Sequence, residues 1–142
     1  MFRALLLVVL VLAGCITPLP PSPQEIEAKR FEPVPGKAVI YVVRQYPDIT
    51  HEAASLMLDD NMMGSTYPGT FFRWVVEPGR HQIRGFAGDA GAIVIDVLPD
   101  RVYYVHQQYS KGFTGFGHSF FQLVPEPYGR GAVMRSELAG GR

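Results

Sequence analysis

The sequence predicts an all-β fold, a small antiparallel β-sandwich of seven or eight strands with room for a short C-terminal helix. From Lys37 onward, short runs of β-branched and aromatic residues alternate with a period of two. Gly, Pro, Asn and Asp separate these runs at regular spacing, as they do in antiparallel sandwiches. Strands do not alternate with helical segments in this sequence, so it does not predict a parallel sheet. The length suffices for one domain with one core.

Turn residues divide the domain into successive strands. Lys37–Arg44 (KAVIYVVR) is apolar on both faces, which is typical of a central strand. Asp59-Asp60-Asn61 predicts a hairpin turn, and Pro78-Gly79 predicts a second hairpin between the strands on either side of it. Gly131–Leu138 has the apolar spacing of a short helix. The predicted strands are Lys37–Arg44, Ala54–Leu58, Met62–Thr66, Thr70–Glu77, Arg80–Ala87, Ala92–Leu98, Arg101–Tyr109 and His118–Val124.

The first fifteen residues have the order of a bacterial lipoprotein signal peptide. Arg3 precedes the apolar run Ala4–Leu12, and the small residues Ala13 and Gly14 stand before Cys15. The run is shorter than the roughly 20 residues that span a bilayer. We therefore predict that residues 1–14 are a signal peptide cleaved between Gly14 and Cys15. The resemblance to this motif implies a thioether diacylglycerol and an N-acyl chain on Cys15, which together anchor a protein stably.

Residues 15–36 are predicted to be the lipidated cysteine and a proline-rich tether, and residues 37–142 the sandwich. Ile16–Gly36 holds half of the 12 prolines, and proline favours an extended, semi-stiff chain. At about 3.1 Å per residue, such a spacer reaches up to roughly 60 Å. Gln24–Arg30 lacks proline and is compatible with one or two helical turns, although so short a helix is marginal alone.

Composition excludes several classes of partner and site. The chain has 13 basic and 13 acidic residues without a basic stripe, which argues against nucleic acid. With Cys15 as the only cysteine, neither a disulfide within the chain nor a multi-cysteine zinc site is possible. An Asp directly after the lipidated cysteine would resemble the inner-membrane retention signal of enteric-type bacteria. In this chain Ile16 stands at that position. The predicted location is therefore the periplasmic face of the outer membrane.

Four segments resemble, in the same order, a bacterial lipoprotein family that is known only as a domain of unknown function. The resemblance implies a small β-sandwich, similar in outline to carboxypeptidase-regulatory or PEGA-type modules. It implies no activity and brings no catalytic residues. The matching segments are the opening strand Gly36–Arg44, the hairpin Leu58–Gly64, the Pro-Gly-x-His turn Glu77–His81 and the paired-tyrosine strand Val102–Val105.

The polar residues do not form a recognisable catalytic or metal-binding motif. The four histidines, His51, His81, His106 and His118, lie in different predicted elements without ligand spacing, so we expect no metal site. Asp59 and Asp60 are explained by a turn in which side chains bond the backbone, rather than by calcium. No nucleophile, zinc or phosphate-loop motif is present. We therefore expect neither an enzyme nor a cofactor.

The glycine-rich segment Ser110–Gly117 (SKGFTGFG) contains the candidate contact residues. Phe113 and Phe116 have no alternating strand position. Exposed aromatics on a loop are suited to contact a partner or a membrane surface. The alternative is an ordinary hairpin loop whose phenylalanines fold back onto the sandwich.

The predicted function is that of a lipid-anchored lipoprotein with a non-enzymatic binding or accessory domain in the cell envelope. Its expected partners are the membrane, through the acyl chains on Cys15, and an envelope protein. The alternative is a lipoprotein that binds a lipid or small ligand through the sandwich edge or Ser110–Gly117.

Overall fold

The computed structural model describes residues 19–140, which form nine strands and two helices. The predicted signal peptide and the candidate residues Gly14 and Cys15 lie outside the described residues. The elements are α1 (Pro23–Ala28), β1 (Ala38–Arg44), β2 (Ala54–Leu58), β3 (Asn61–Thr66), β4 (Thr70–Val76), β5 (Gly79–Gly85), β6 (Ala92–Val97), β7 (Arg101–Lys111), β8 (Gly117–Val124), α2 (Glu126–Met134) and β9 (Glu137–Leu138).

The predicted β-sandwich is confirmed. One sheet has five strands in the order β8-β7-β1-β4-β9, and the other has four in the order β3-β2-β5-β6. Most neighbours are antiparallel, but β1 pairs with β7 and β4 pairs with β9 in parallel. These parallel pairs join strands that are distant in sequence, so the spacing of adjacent strands did not predict them.

β1 is the centre of the larger sheet, as its apolar sequence predicted. All seven of its residues are buried. One face contributes Ile40 and Val42 to the core between the sheets. The other contributes Tyr41 and Val43 to a second core, on the outer face of the same sheet. A strand that is covered on both faces reads as a continuous apolar run instead of an alternating one.

The predicted hairpin at Pro78-Gly79 is wrong. β4 lies in the five-stranded sheet, whereas β5 pairs with β2 and β6 in the four-stranded sheet. The turn therefore carries the chain from one sheet to the other. Gly79 has a φ of 137°, which favours glycine. A turn sequence shows where a strand ends, but the pairing of the next strand depends on distant residues.

Part of the predicted tether is folded onto the sandwich. Ser22 caps α1 by accepting a hydrogen bond from the Glu25 N–H at 3.1 Å. Ala28 and Phe31 are buried in the second core, and the Tyr41 hydroxyl donates to the Ala28 carbonyl at 2.5 Å. The folded part thus begins near Pro23 and not at Lys37. Packing against the sheet stabilises a helix that is marginal in isolation.

The C-terminal helix exists but begins earlier than predicted. α2 covers Glu126–Met134, and Glu137–Leu138, which were predicted to be helical, form β9. Ala132 and Val133 pack on the second core. At Gly129, a Cβ would lie 2.2 Å from the Tyr104 ring, so a glycine lets the helix approach the sheet closely. Pro125 and Pro127 stand at the start of α2, where the sequence did not predict helix. Proline is nevertheless favoured in the first helical turn.

Candidate binding surface at one end of the sandwich

Four connections meet at one end of the sandwich. β1 and β7 run in parallel and finish at this end, so the segments that follow them lie side by side. The segments are joined by backbone hydrogen bonds: the Gly117 N–H donates to the Gly88 carbonyl at 3.2 Å, and the Gly69 N–H donates to the Arg44 carbonyl at 2.8 Å. The four connections are residues 45–53, 67–69, 86–91 and 112–116.

Arg44 holds the longest of these connections from inside. Its side chain is fully buried, and its Nε donates to Asp48 Oδ2 at 2.5 Å. Its terminal nitrogens donate to the carbonyls of Thr50 and Glu52, both at 2.7 Å. The guanidinium also lies over the Tyr109 ring, 5.3 Å from the centroid. A planar group with five donors can satisfy several carbonyls at once, which fixes the course of residues 45–53.

A chain of polar side chains links the two sheets just beneath the same end. The Thr66 hydroxyl donates to Gln107 Oε1 at 2.8 Å, and Gln107 Nε2 donates to the Ser119 hydroxyl at 2.9 Å. That hydroxyl donates to Asp89 Oδ2 at 2.5 Å. Asp89 Oδ1 also accepts the Ser119 and Gly91 N–H groups, at 2.7 and 2.9 Å. The buried members are therefore bonded to one another, which stabilises the connection 86–91.

Large apolar side chains cover the outside of this end. Phe113 is fully exposed, Phe116 is 67% exposed, and each of the others is at least 45% exposed. Other exposed apolar residues, such as Val94, Phe120 and Leu123, are scattered over the sandwich, but a group that stands on four neighbouring loops indicates a binding surface. We call this surface the aromatic end; its members are Tyr46, Ile49, Tyr67, Phe86, Phe113 and Phe116.

The carboxylates of the four described connections have partners, two of them inside the fold and one, Glu52, at the surface. Asp48 is buried against Arg44, and Asp89 is bonded to Ser119. Glu52 pairs with Lys111, the last residue of β7, at 3.3 Å. The carboxylates of the described connections at this end thus have partners, which leaves the apolar side chains and backbone to face outward.

The opposite end of the sandwich carries most of the surface ion pairs. Lys37 pairs with Glu77, Arg80 with Asp96 at 3.2 Å, and Arg84 with Asp60 at 3.2 Å. We call it the charged end. It consists of the connections 59–60, 77–78 and 98–100 and the strand residues beside them. Its described exposed large apolar residues are Met62, Val75 and Leu98.

His81, at the charged end, has a hydrogen-bond partner on each of its two ring nitrogens. Its Nδ1 lies 2.6 Å from Asp59 Oδ2, and its Nε2 lies 2.7 Å from the Glu77 carbonyl oxygen. Since both partners are acceptors, both ring nitrogens must donate, which only the protonated ring does. Burial opposes this charge, but the two hydrogen bonds and the Asp59 charge raise the pKa of His81.

Asp59 is the complementary half of this contact. Burial favours its neutral form, yet the hydrogen bonds from His81 and the Gln82 N–H, together with the His81 charge, hold its pKa below the usual 3.8. Asp59 and Asp60 both have a positive φ, of 50° and 64°. They form the tight turn between β2 and β3, as predicted.

The other candidate residues are not brought together. His106 lies beside Tyr128, and burial lowers its pKa against a smaller opposing effect of Asp48. His118 packs edge-on to Phe120, and His51 lies near Tyr46. No group of three His, Cys, Asp or Glu among residues 19–140 is arranged to hold a metal ion. Ser119 is hydrogen-bonded to Asp89 and Gln107, and no described hydrogen bond joins its hydroxyl to a histidine.

Sequence reasoning found two members of the aromatic end and missed four. Of the two alternatives for Phe113 and Phe116, the exposed position is the one observed. Tyr46, Ile49, Tyr67 and Phe86 stand in separate turn segments, and only the pairing of the strands brings those segments together. One signal was available: Tyr46 and Tyr67 each precede a proline, which removes them from a regular strand.

Comparison with models of known families, with curated proteins and with solved structures gives no match. The resemblance to a lipoprotein family of unknown function therefore stays a prediction. In the part of the chain from residue 19 to residue 140, no helix has both the length and the apolar character that crossing a bilayer requires.

Proposed function

We propose that this protein is a lipid-anchored lipoprotein of the bacterial cell envelope, and that its β-sandwich binds rather than catalyses. The sequence Leu12-Ala13-Gly14-Cys15 after an apolar run supports the anchor. The observation that carries the binding role is the aromatic end, where six large apolar side chains are exposed around four connected loops.

The interior polar groups support a binding module over an enzyme. Ser119, the buried hydroxyl nearest to a carboxylate, serves as a link between Gln107 and Asp89. His81 is held on both ring nitrogens by a turn carboxylate and a carbonyl. A general base needs a free ring nitrogen within reach of a substrate proton, and His81 does not offer one.

The proposed location is the periplasmic face of the outer membrane, and the proposed protein partner is an envelope protein. A lipoprotein that binds a lipid or small ligand is the second candidate, which the exposed Phe113 and Phe116 favour because apolar groups on loops suit such contacts.

Lipidation is tested by growing bacteria that express the full chain with an alkyne analogue of palmitate. We expect labelled protein in the membrane fraction. Cys15→Ser should abolish the label and leave an uncleaved form, because the thiol accepts the first lipid. Thr17→Ser, a similar change two residues away, should keep both label and cleavage. Label retained by Cys15→Ser would contradict the proposed anchor.

The partner is tested by crosslinking in intact cells, detergent extraction and mass spectrometry of the co-purified proteins. One dominant envelope protein would support the accessory role. Absence of any protein partner, with this protein still in the membrane fraction, would favour the lipid- or ligand-binding candidate.

A further inference from the structure

The aromatic end has the chemistry of a surface that rests on a lipid bilayer. Phe113 is the most exposed aromatic ring of this end, and Phe116 is about as exposed as Tyr46. Neither phenylalanine ring carries a polar atom. Tyr46 and Tyr67 are exposed amphipathic rings of the kind that sit at the level of lipid headgroups. Rings with a hydroxyl beside rings without one match the gradient from headgroup to acyl chain.

Apart from the partly exposed Glu52–Lys111 pair, contact with a bilayer would strip no carboxylate of the connections of its water at this end. A carboxylate that loses water without a partner is costly. Here Asp48 is already buried against Arg44, and Asp89 is bonded to Ser119 and Gly91. Glu52 has Lys111 as its partner. The charged end, by contrast, would place several exposed ions against the lipid.

The chain approaches the fold from the side of the aromatic end. Glu25 Oε2, in the first turn of α1, accepts the Leu138 N–H at 3.2 Å, and Leu138 pairs with Phe71 near the start of β4. Eleven residues later the Gly36 N–H donates to Asp100 at the charged end, at 2.7 Å. The segment from Glu25 to Gly36 thus runs away from the aromatic end, so Ser22 lies on the aromatic side.

The chain between the proposed anchor and the fold is short. Seven residues, Ile16–Ser22, connect Cys15 to α1. Fully extended, they span at most about 25 Å. The folding of residues 23–34 onto the sheet removes most of the roughly 60 Å reach that the proline-rich sequence alone implied. Because the connection spans at most about 25 Å, the end of the domain from which the chain departs stays near the bilayer.

We propose that the aromatic end of the sandwich docks on the lipid bilayer, so that the acyl chains of Cys15 and the rings of Phe113 and Phe116 form two attachment points. This inference rests on the proposed lipid anchor, and it assigns the binding role of the aromatic end to the bilayer rather than to the envelope protein. It orients the domain with the charged end toward the periplasm, where the ion pairs remain hydrated.

The test uses the full-length lipidated protein in vesicles of phosphatidylethanolamine and phosphatidylglycerol. Because Cys15 is the only cysteine and is acylated, an introduced cysteine takes a fluorescent probe at one position. Thr114→Cys places the probe between the two phenylalanines. Leu98→Cys places it on an exposed apolar residue of the charged end. Lipids with a nitroxide on a shallow acyl carbon quench probes at the interface. We expect quenching severalfold stronger at Thr114 than at Leu98.

A second variant separates docking from anchoring. Phe113→Ser with Phe116→Ser, in the Thr114→Cys background, should lose most of the quenching while palmitate labelling stays intact. Equal quenching at the two positions, or strong quenching that survives the loss of both rings, would overturn the docking. Protection of Thr114 by a crosslinked protein instead of lipid would overturn it as well. Loss of palmitate from every variant, in contrast, would refute the anchor itself.

Discussion

The two ends of this sandwich are stabilised in opposite ways. At the aromatic end, Asp48, Asp89 and Ser119 are bonded inside, and aromatic rings face outward. At the charged end, the ions face outward; Arg80 and Asp96 each keep more than 70% of the side chain exposed. Exposed ion pairs contribute little to stability, whereas a buried pair that loses one partner is strongly destabilising. The difference teaches that the end with the exposed rings is the one whose loops are bonded to buried polar side chains, Arg44 and Ser119.

The largest predicted difference between the ends concerns their arginines. Arg44→Ala leaves Asp48 buried without a partner and several carbonyls without donors, so the free energy of unfolding should fall by about 3–5 kcal/mol. Arg80→Ala removes an exposed pair and should change it by less than about 1 kcal/mol. Urea unfolding of both variants measures the comparison. Similar effects at the two ends would contradict it.

Glycines at the two ends sharpen the comparison further. At Gly91, a Cβ would lie 1.8 Å from the Ser119 carbonyl oxygen, so Gly91→Ala must displace backbone and should cost about 3 kcal/mol. At Gly79, a Cβ meets no atom within 4 Å, but the φ of 137° is strained for alanine. Gly79→Ala should therefore cost only about 1–2 kcal/mol. Thermal unfolding of both variants tests the order, which would be reversed if the turn at Gly79 were the tighter site.

The charged end should depend on pH through His81 and Asp59. The pKa of His81 is raised in the fold, so His81 contributes its full stabilisation below pH 6.5. This contribution is lost as the pH rises through the raised pKa. The lowered pKa of Asp59 means that its contribution is present above 3.8 and is lost as pH falls through the lowered value. The stabilising contributions of His81 and Asp59 are both fully present between pH 3.8 and pH 6.5.

Melting temperatures measured from below pH 3.8 to well above pH 6.5 check the pH dependence. His81→Gln should remove the decline above 6.5, because glutamine carries no titrating ring. Phe113→Ser, at the aromatic end, should give a curve parallel to that of the unchanged protein. A decline that persists in His81→Gln would show that another group causes it.

The local features of the fold could be read from the sequence. Lys37–Arg44 predicted the buried central strand, and Asp59-Asp60 predicted the tight turn, because burial on both faces and a positive φ each leave a local signature. Of the aromatic end, Phe113 and Phe116 were recognisable because they stand in a glycine-rich loop without an alternating position. Ile49 and Phe86 were not, since each is unremarkable within its own segment.

The sequence by itself determined strands β1 to β8 to within two residues at each end, and that one apolar run with a small-residue cysteine motif precedes the domain. Only the tertiary structure decided that β1 pairs in parallel with β7, that β5 leaves β4 for the other sheet, and that α1 folds onto the second core. The physical reason is that period and turn chemistry act between neighbouring residues. Strand pairing and helix docking depend on contacts between residues far apart in the chain, and these contacts gather four separate loops into one aromatic end.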